Sequence, residues 1–324
     1  MWQMIRPLQR HNHSHSRSTA GSVLLAVLCL VAVLSFIVIS TLGVSVQHAD
    51  MQQARQGMTR ARQLAEMGVA VAANPMIKPG DPALMGKVSA IESFKAAMST
   101  EEARLNMNAL LTPQRLPILE RMFTSWGLSP ADAQGIAACF MDWADPDDLK
   151  IRPDSAERAE YERLGHPDHP VNRPLVSLDE LDLVARSEEV RAVRPNWRSF
   201  FTLRGNGQLD VNEASAEVLT ALTGASSINA QLLVSHRNGL DGLPHTMDDM
   251  PFQSLEEALV MLGIGGVQTA EILPLLTLRG STLRIESIGM AGDTRSGIAV
   301  TLMRGDGASR IVEWREFTVE GGRS

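Results

Sequence analysis

From Ser18 to Ala49 the chain carries no Asp, Glu, Lys or Arg, and from Val23 to Ile39 the only polar side chain is Ser35. About 20 apolar residues at 1.5 Å rise span a hydrocarbon core of roughly 30 Å. The stretch therefore reads as a membrane-spanning helix, and everything behind it must be placed relative to a bilayer. Arg6, Arg10 and Arg17 precede it, with no acid among the first 49 residues. An excess of positive charge on one flank puts that flank in the cytoplasm and the rest of the chain outside. The apolar run is longer than the core of a secretory signal and passes straight into polar helix, so it is expected to stay as an anchor.

The 324 residues allow roughly two domains. The net charge is -7, with most acids behind the span. That balance argues against a dedicated nucleic-acid binder, which needs clustered Lys and Arg to displace counterions from phosphate. Cys29 lies inside the apolar run and Cys139 far behind it, so no disulfide is expected. His11, His13 and His15 read as part of a solvated basic leader, because an extended HxHxH tract without further ligands is a poor metal site.

Behind the span, Gln47 to Ala73 keeps a helical period. Met51, Ala54, Met58, Ala61, Leu64 and Ala65 form one face, and Gln52, Gln53, Arg55, Arg60, Arg62 and Glu66 another. One helix of about fifty residues is predicted, apolar all round at first and amphipathic later, ended by Asn74-Pro75 and Lys78-Pro79-Gly80. Ser89 to Met98 is compatible with a strand or a helix. The tail alternates with period two at 282–287, 298–302 and 310–319, with Gly-Asp breaks between, and predicts a three-stranded antiparallel meander. Three strands with an apolar face need a cover, and the amphipathic half of the first helix is the predicted one.

Between these ends lies an internal duplication. Leu105-Asn106-Met107-Asn108 is echoed by Leu209-Asp210-Val211-Asn212. Each is followed by a predicted helix (117–125; 216–223), a turn, a second helix (131–143; 229–237), and a matching start, Ser177-Leu178-Asp179-Glu180-Leu181 or Ser254-Leu255-Glu256-Glu257-Ala258. Asn108 to Ser177 spans 69 residues and Asn212 to Ser254 only 42, so the first copy holds an insert, placed at 142–173.

Taken together, Gly21 followed by an apolar helix, Arg104 to Leu110, Asp142-Trp143-Ala144-Asp145-Pro146-Asp147, Ser177 to Leu181, and Gly205 to Ala214 resemble the minor pseudopilin K family of type II secretion systems. The resemblance implies an α+β, pilin-like fold: a long N-terminal helix packed on a small C-terminal antiparallel sheet, with a large inserted helical domain of two SAM-like or helix-hairpin-helix-like units. The expected organisation is a basic prepilin-type leader at 1–21 and a transmembrane assembly helix at 22–46. The amphipathic continuation and the start of the pilin-like domain follow at 47–105. The helical units occupy 106–200 and 201–280, and the closing strands 281–324.

The family further implies cleavage after Gly21 by a prepilin peptidase, leaving Ser22 as a methylated N-terminus. Ala26 is then the fifth residue, where most pilins carry a Glu that neutralises a neighbour's terminal amine. An unpaired buried charge is costly, so a subunit lacking the Glu suits a filament tip, where no subunit above offers an amine. Implied partners are the minor pseudopilins I and J, the prepilin peptidase and the bacterial inner membrane. The N-terminus would be cytoplasmic and the bulk periplasmic, at the tip of a pseudopilus whose assembly the subunit starts or caps.

Among chemical sites, Asp142, Asp145, Asp147, Asp148 and Glu157 are hard oxygen ligands in a proline-broken loop, a composition that suits Ca2+. The resemblance points the same way, because some members of the family bind calcium in their helical domain. The spacing is not an EF-hand, and a solvated acidic loop with a capping Asp is the competing reading. No cofactor is required. His166 and His169 are flanked by prolines that scatter their side chains, which argues against zinc, and His236 and His245 read as isolated structural residues.

The alternative function is that of a membrane-anchored helix-hairpin-helix protein binding nucleic acid or peptide, on the likeness of 212–222 and Leu262-Gly263-Ile264-Gly265-Gly266 to DNA-uptake receptors. Residues 212–280 hold eight acids against two bases, Arg237 and Arg279, a field that repels a polyanion, so no nucleic acid is expected. No nucleophile elbow, P-loop, HExxH motif or dinucleotide fingerprint is present, and an enzyme is not expected.

Overall fold

The computed structural model describes residues 19–304 and 309–319, with side chains at 19–22, 39–50, 304 and 309 left out of the description. The chain divides into two compact units, residues 1–59 and 60–324. Helix α1 (Thr19–Ala72) is 54 residues long. In the first unit the apolar side chains described between 23 and 38 are exposed, Leu24 at 70% and Phe36 at 71% among them. Among the described residues no helix is long and apolar enough to cross a membrane. The side chains described in this stretch run only from 23 to 38. The histidines of the leader fall outside the described residues. Cys29 and Cys139 are both free thiols.

In the second unit the last turns of α1 bury Ala61, Leu64, Ala65, Val69 and Ala72, a spacing of three and four residues that keeps one stripe inward. The predicted packing face is too long at its start, because Met51 and Met58 are exposed. Asn74 turns the chain by accepting the Met76 N–H, and strands β1 (Met85–Lys87) and β2 (Glu92–Thr100) follow.

The helical insertion comes next. Its first half runs β3 (Leu105–Asn106), α2 (Met107–Leu110), α3 (Leu116–Ser125), α4 (Pro130–Ala144), α5 (Arg158–Arg163), a 3-10 turn at Leu178–Leu183, α6 (Ser187–Val193) and β4 (Phe201–Thr202). Its second half runs β5 (Leu209–Asp210), α7 (Ala216–Thr223), α8 (Ser227–Arg237), α9 (Leu255–Met261), α10 (Val267–Ile272) and β6 (Leu276–Thr277). In each half a two-residue strand is closed by a parallel partner from the far end, Leu105 opposite Phe201 and Leu209 opposite Leu276.

The same side chain pins both halves. Asn108 donates to the Leu175 carbonyl and accepts its N–H, each at 2.9 Å, while Asn212 does so with Phe252 at 3.1 and 2.8 Å. Two residues later Ser177 and Ser254 cap the next helical turn. Ser129, Ser215 and Ser226 cap α4, α7 and α8 in the same manner, each satisfying an N–H that the helix itself leaves free. One continuous core, including Trp143, Trp197, Phe123, Phe140 and Leu219, runs through both halves.

The tail forms β7 (Thr282–Ala291), β8 (Thr294–Arg304) and β9 (Ser309–Phe317). These three strands are the predicted meander, but the sheet has five, in the order β1-β2-β7-β8-β9, all antiparallel. The undecided stretch is β2, paired along its length with β7, Ala96 opposite Ser287 and Met98 opposite Ile285. Its inward side chains join Ile285, Ile298, Val300 and Leu302 beneath Ala65, Val69 and Ala72 of α1 in a second, separate core.

Candidate functional site

The acidic insert leaves the last turn of α4. Asp142 is fully buried there, accepting the Ile151 N–H at 3.2 Å and the Ser155 hydroxyl. Burial pushes its carboxyl up. Asp145 ends the helix, and burial together with the charges of Asp142 and Asp147 pushes it up to about 6. Glu157 opens α5, its own N–H tied back to Glu160 at 3.1 Å. Only 3% exposed, it is pushed up to about 7 by burial and then by Asp142 and Asp145.

Among the described residues no Lys or Arg forms an ion pair with Asp142, Asp145 or Glu157, although the charge of Lys150 bears on Asp142. Lys150 is engaged with Glu160 at 2.7 Å, and the donors that bear on the Glu157 carboxylate are backbone N–H groups of its own helix start. Asp145 Oδ1 and both Glu157 oxygens are buried without a partner of good hydrogen-bond geometry. Asn172 Oδ1 is a fourth such oxygen, on a residue held at φ 48° whose Nδ2 reaches Asp147 and Asp148. Sequence reading missed it, since an Asn thirty positions after Asp142 carries no pattern that marks it.

Of the five predicted acids, three are thus drawn into one buried group and two go elsewhere. Asp147 Oδ1 accepts the Leu149 N–H at 2.8 Å, and Asp148 faces Arg158 at 3.6 Å and Asn172 at 3.2 Å. The set is chemically that of a hard cation, oxygen donors with negative charge in excess. Among the described residues no three His, Cys, Asp or Glu side chains stand at the spacing that holds a metal ion.

The histidines of the insert take part in packing. The His169 ring lies 4.8 Å from Trp143 and 5.9 Å from Tyr161, both fully buried, and the Tyr161 hydroxyl accepts the Ala185 N–H at 2.8 Å. The His236 ring lies tilted against Phe252, with centroids 5.3 Å apart. His245 is not isolated, as its sequence position suggested: Nε2 meets both oxygens of Glu213 at 3.0 and 3.1 Å, across 32 residues. Of the two bases counted in the second half, Arg237 is buried and holds the Val211 carbonyl, which leaves Arg279 exposed.

The helical insertion is strapped to the sheet by two adjacent buried acids at the end of β2. Glu101 takes hydrogen bonds from Thr202 at 2.6 Å and Thr301 at 3.2 Å and faces Arg284 at 3.3 Å and Arg104 at 3.5 Å. Burial works to raise it, yet the Thr202 hydroxyl and the two guanidinium groups hold it below the usual carboxylate range. Glu102 accepts the N–H and hydroxyl of Ser281 and the N–H of Thr282. At the other end of the chain Ala26 is exposed in the apolar stretch of α1, while Gly21 and Ser22 are described only as backbone of that helix.

Residues 103–196 match the family model of type II secretion system protein K. No curated protein matches the chain. Among solved structures, a chain of the GspK-GspI-GspJ complex from the type 2 secretion system of enterotoxigenic Escherichia coli is similar at TM-score 0.57. At 14% identity it covers 85% of this chain and 99% of its own, which is a likeness of fold. The type II secretion system protein K family, which the sequence resembles, is thus matched over residues 103–196.

Proposed function

We propose that the chain is a minor pseudopilin of a type II protein secretion system, placed at the tip of a periplasmic pseudopilus and starting or capping its assembly. The observation that carries this reading is a pilin-like sheet whose β2–β7 pair is opened to hold a helical domain of about 180 residues, residues 101–281, with two halves and one core. That bulk suits a subunit with nothing stacked above it, and the lack of a carboxylate at Ala26 suits the same place. The chain is anchored in the inner membrane by the apolar part of α1, cut after Gly21 and methylated at Ser22. Its partners are the pseudopilins I and J of its own system, by analogy with the solved complex it resembles. Co-purification of the full chain with those two subunits tests the reading, and failure of either to be retained would overturn it.

Calcium belongs to the same proposal. Asp142, Asp145 and Glu157 are the acids that would hold it, with Asn172 as a further oxygen; they do not stand at metal-holding spacing here, so binding would have to draw them together, and the ion would add positive charge beside the buried carboxylates. It would act on the fold of the insert, with no reaction routed through it.

A further inference from the structure

Helix α1 lies on one face of the five-stranded sheet, over Ala96, Ile285, Ile298 and Val300. Residues paired across neighbouring strands share a face, and the faces alternate along each strand. The register therefore puts Lys87 of β1, Lys95 of β2, Arg295 of β8 and Arg315 of β9 together on the opposite face. The helical insertion is attached at one end of that face, where Glu101 reaches Arg284 and Thr301 and where Arg204 meets Glu313 at 3.3 Å. Towards the other end the floor is apolar. Ile288 and Met290 of β7 are half-buried, and Phe317 lies across Gly297, where an added Cβ would stand 2.4 Å from its ring.

All four bases are exposed, and among the described residues none of them forms an ion pair or a side-chain hydrogen bond. The acids of the same face are engaged: Glu286 takes Arg284 at 2.9 and 2.5 Å, and Glu313 takes Arg204. Asp293, exposed in the turn between β7 and β8, can offset one base at most. An exposed base is well solvated and needs no partner. What marks this face is one sign of charge gathered around an apolar floor, on a chain whose net charge is -7.

From Lys95 on β2 to Arg315 on β9 is three interstrand steps, about 14 Å. One helix with its side chains is about 10–12 Å across and would fill that strip, as α1 covers the other face. We propose that this face docks an acidic amphipathic helix of a partner protein, its apolar stripe on Ile288, Met290 and Phe317 and its carboxylates beside Lys95, Arg295 and Arg315. Opposite charge steers such a partner to the face and fixes its orientation there. The floor decides for a protein over a lipid surface. Its apolar groups lie half-buried below long basic side chains, so they do not enter a bilayer as interfacial anchors do, whereas a ridge of helix side chains reaches them. The inference stands apart from the assembly role proposed above.

The test uses the full chain in detergent micelles and a fluorescein-labelled 18-residue peptide with a Leu stripe at helical spacing flanked by Glu, followed by anisotropy with the signal of empty micelles subtracted. Saturable binding is expected, at least about tenfold weaker for the peptide with Gln in place of Glu and for the exposed double variant Lys95→Glu, Arg315→Glu. The Glu peptide with Ser in place of Leu should lose a similar factor. Equal affinity for the Glu and Gln peptides, wild-type affinity in the double variant, or no saturation overturns the proposal. Displacement of the peptide by phosphatidylglycerol added to the micelles, to the extent that unlabelled peptide achieves, overturns it as well, because the face would then be a site for anionic lipid.

Discussion

Gly289 of β7 lies directly beneath Ala61 of α1: a Cβ added to Gly289 would stand 2.0 Å from the Ala61 carbonyl oxygen and 2.4 Å from the Ala65 amide nitrogen. Helix backbone and sheet backbone touch at this point, and both neighbours are atoms that cannot rotate away. Gly289→Ala should therefore lift the end of α1 from the sheet and lower stability by about 1–3 kcal/mol, with Gly289→Val costing more. Urea unfolding of the full chain in detergent checks this, and an unchanged midpoint for Gly289→Ala would show that the helix sits farther out.

The strap at Glu101 gives a larger effect. Replacing it with Ala removes the shared acceptor of Thr202 and Thr301 and leaves Arg104 and Arg284 facing each other in a buried site. The expected loss is about 3–5 kcal/mol, the range for breaking a buried ion pair from one side. Because the folded state holds Glu101 below its ordinary range, the stability it contributes is present above that ordinary range and fades as pH falls through the lowered value. The difference between wild type and Glu101→Gln should shrink in acid, measured as unfolding midpoints across pH.

Asn108 and Asn212 make the same two backbone bonds in the two halves of the insertion. Either one changed to Ala leaves a half-buried N–H and carbonyl unpaired, at a cost of about 1–3 kcal/mol each. The two losses should agree with one another. Hydrogen exchange should quicken at Leu175 in one variant and at Phe252 in the other.

Glu157 has the opposite linkage. With its folded value raised to about 7, its contribution is fully present below the ordinary carboxylate range and is lost as pH rises through 7. Glu157→Gln should raise the melting temperature at pH 8 and leave it little changed at pH 5. Ca2+ at pH 8 should raise the melting temperature of the wild type and not that of the variant. A shift of equal size in both would remove Glu157 from the calcium proposal.

Much of this architecture is legible in one dimension. The helices predicted at 117–125, 131–143 and 216–223 are α3, α4 and α7 within one residue at either end, because each begins at a Ser cap or a Pro and carries a clear apolar stripe. The prediction from 229 enters α8 two residues late and ends with it at Arg237. β2 was not legible, since its alternation of Phe94, Ala96 and Met98 is short and equally compatible with a helix. Its strand character comes from β7, almost two hundred residues later, which offers it a hydrogen-bonding edge.

The acidic insert divides in the same way. Its composition marks Asp142 to Glu157 as carboxylate-rich, but only folding separates Asp147 and Asp148, which satisfy local N–H groups and an arginine, from Asp145 and Glu157, which are buried without a counter-charge. By itself the sequence determined the apolar run, the helical periods, the duplicated Asn-pinned units and the period-two tail, because each depends on neighbours within a few turns of chain. The tertiary structure alone decided the fifth-strand pairing, the Glu213–His245 contact, the Glu101 strap and the burial of Arg237. Those depend on which distant groups meet where water is excluded, and burial, not residue type, sets the energy of a charge.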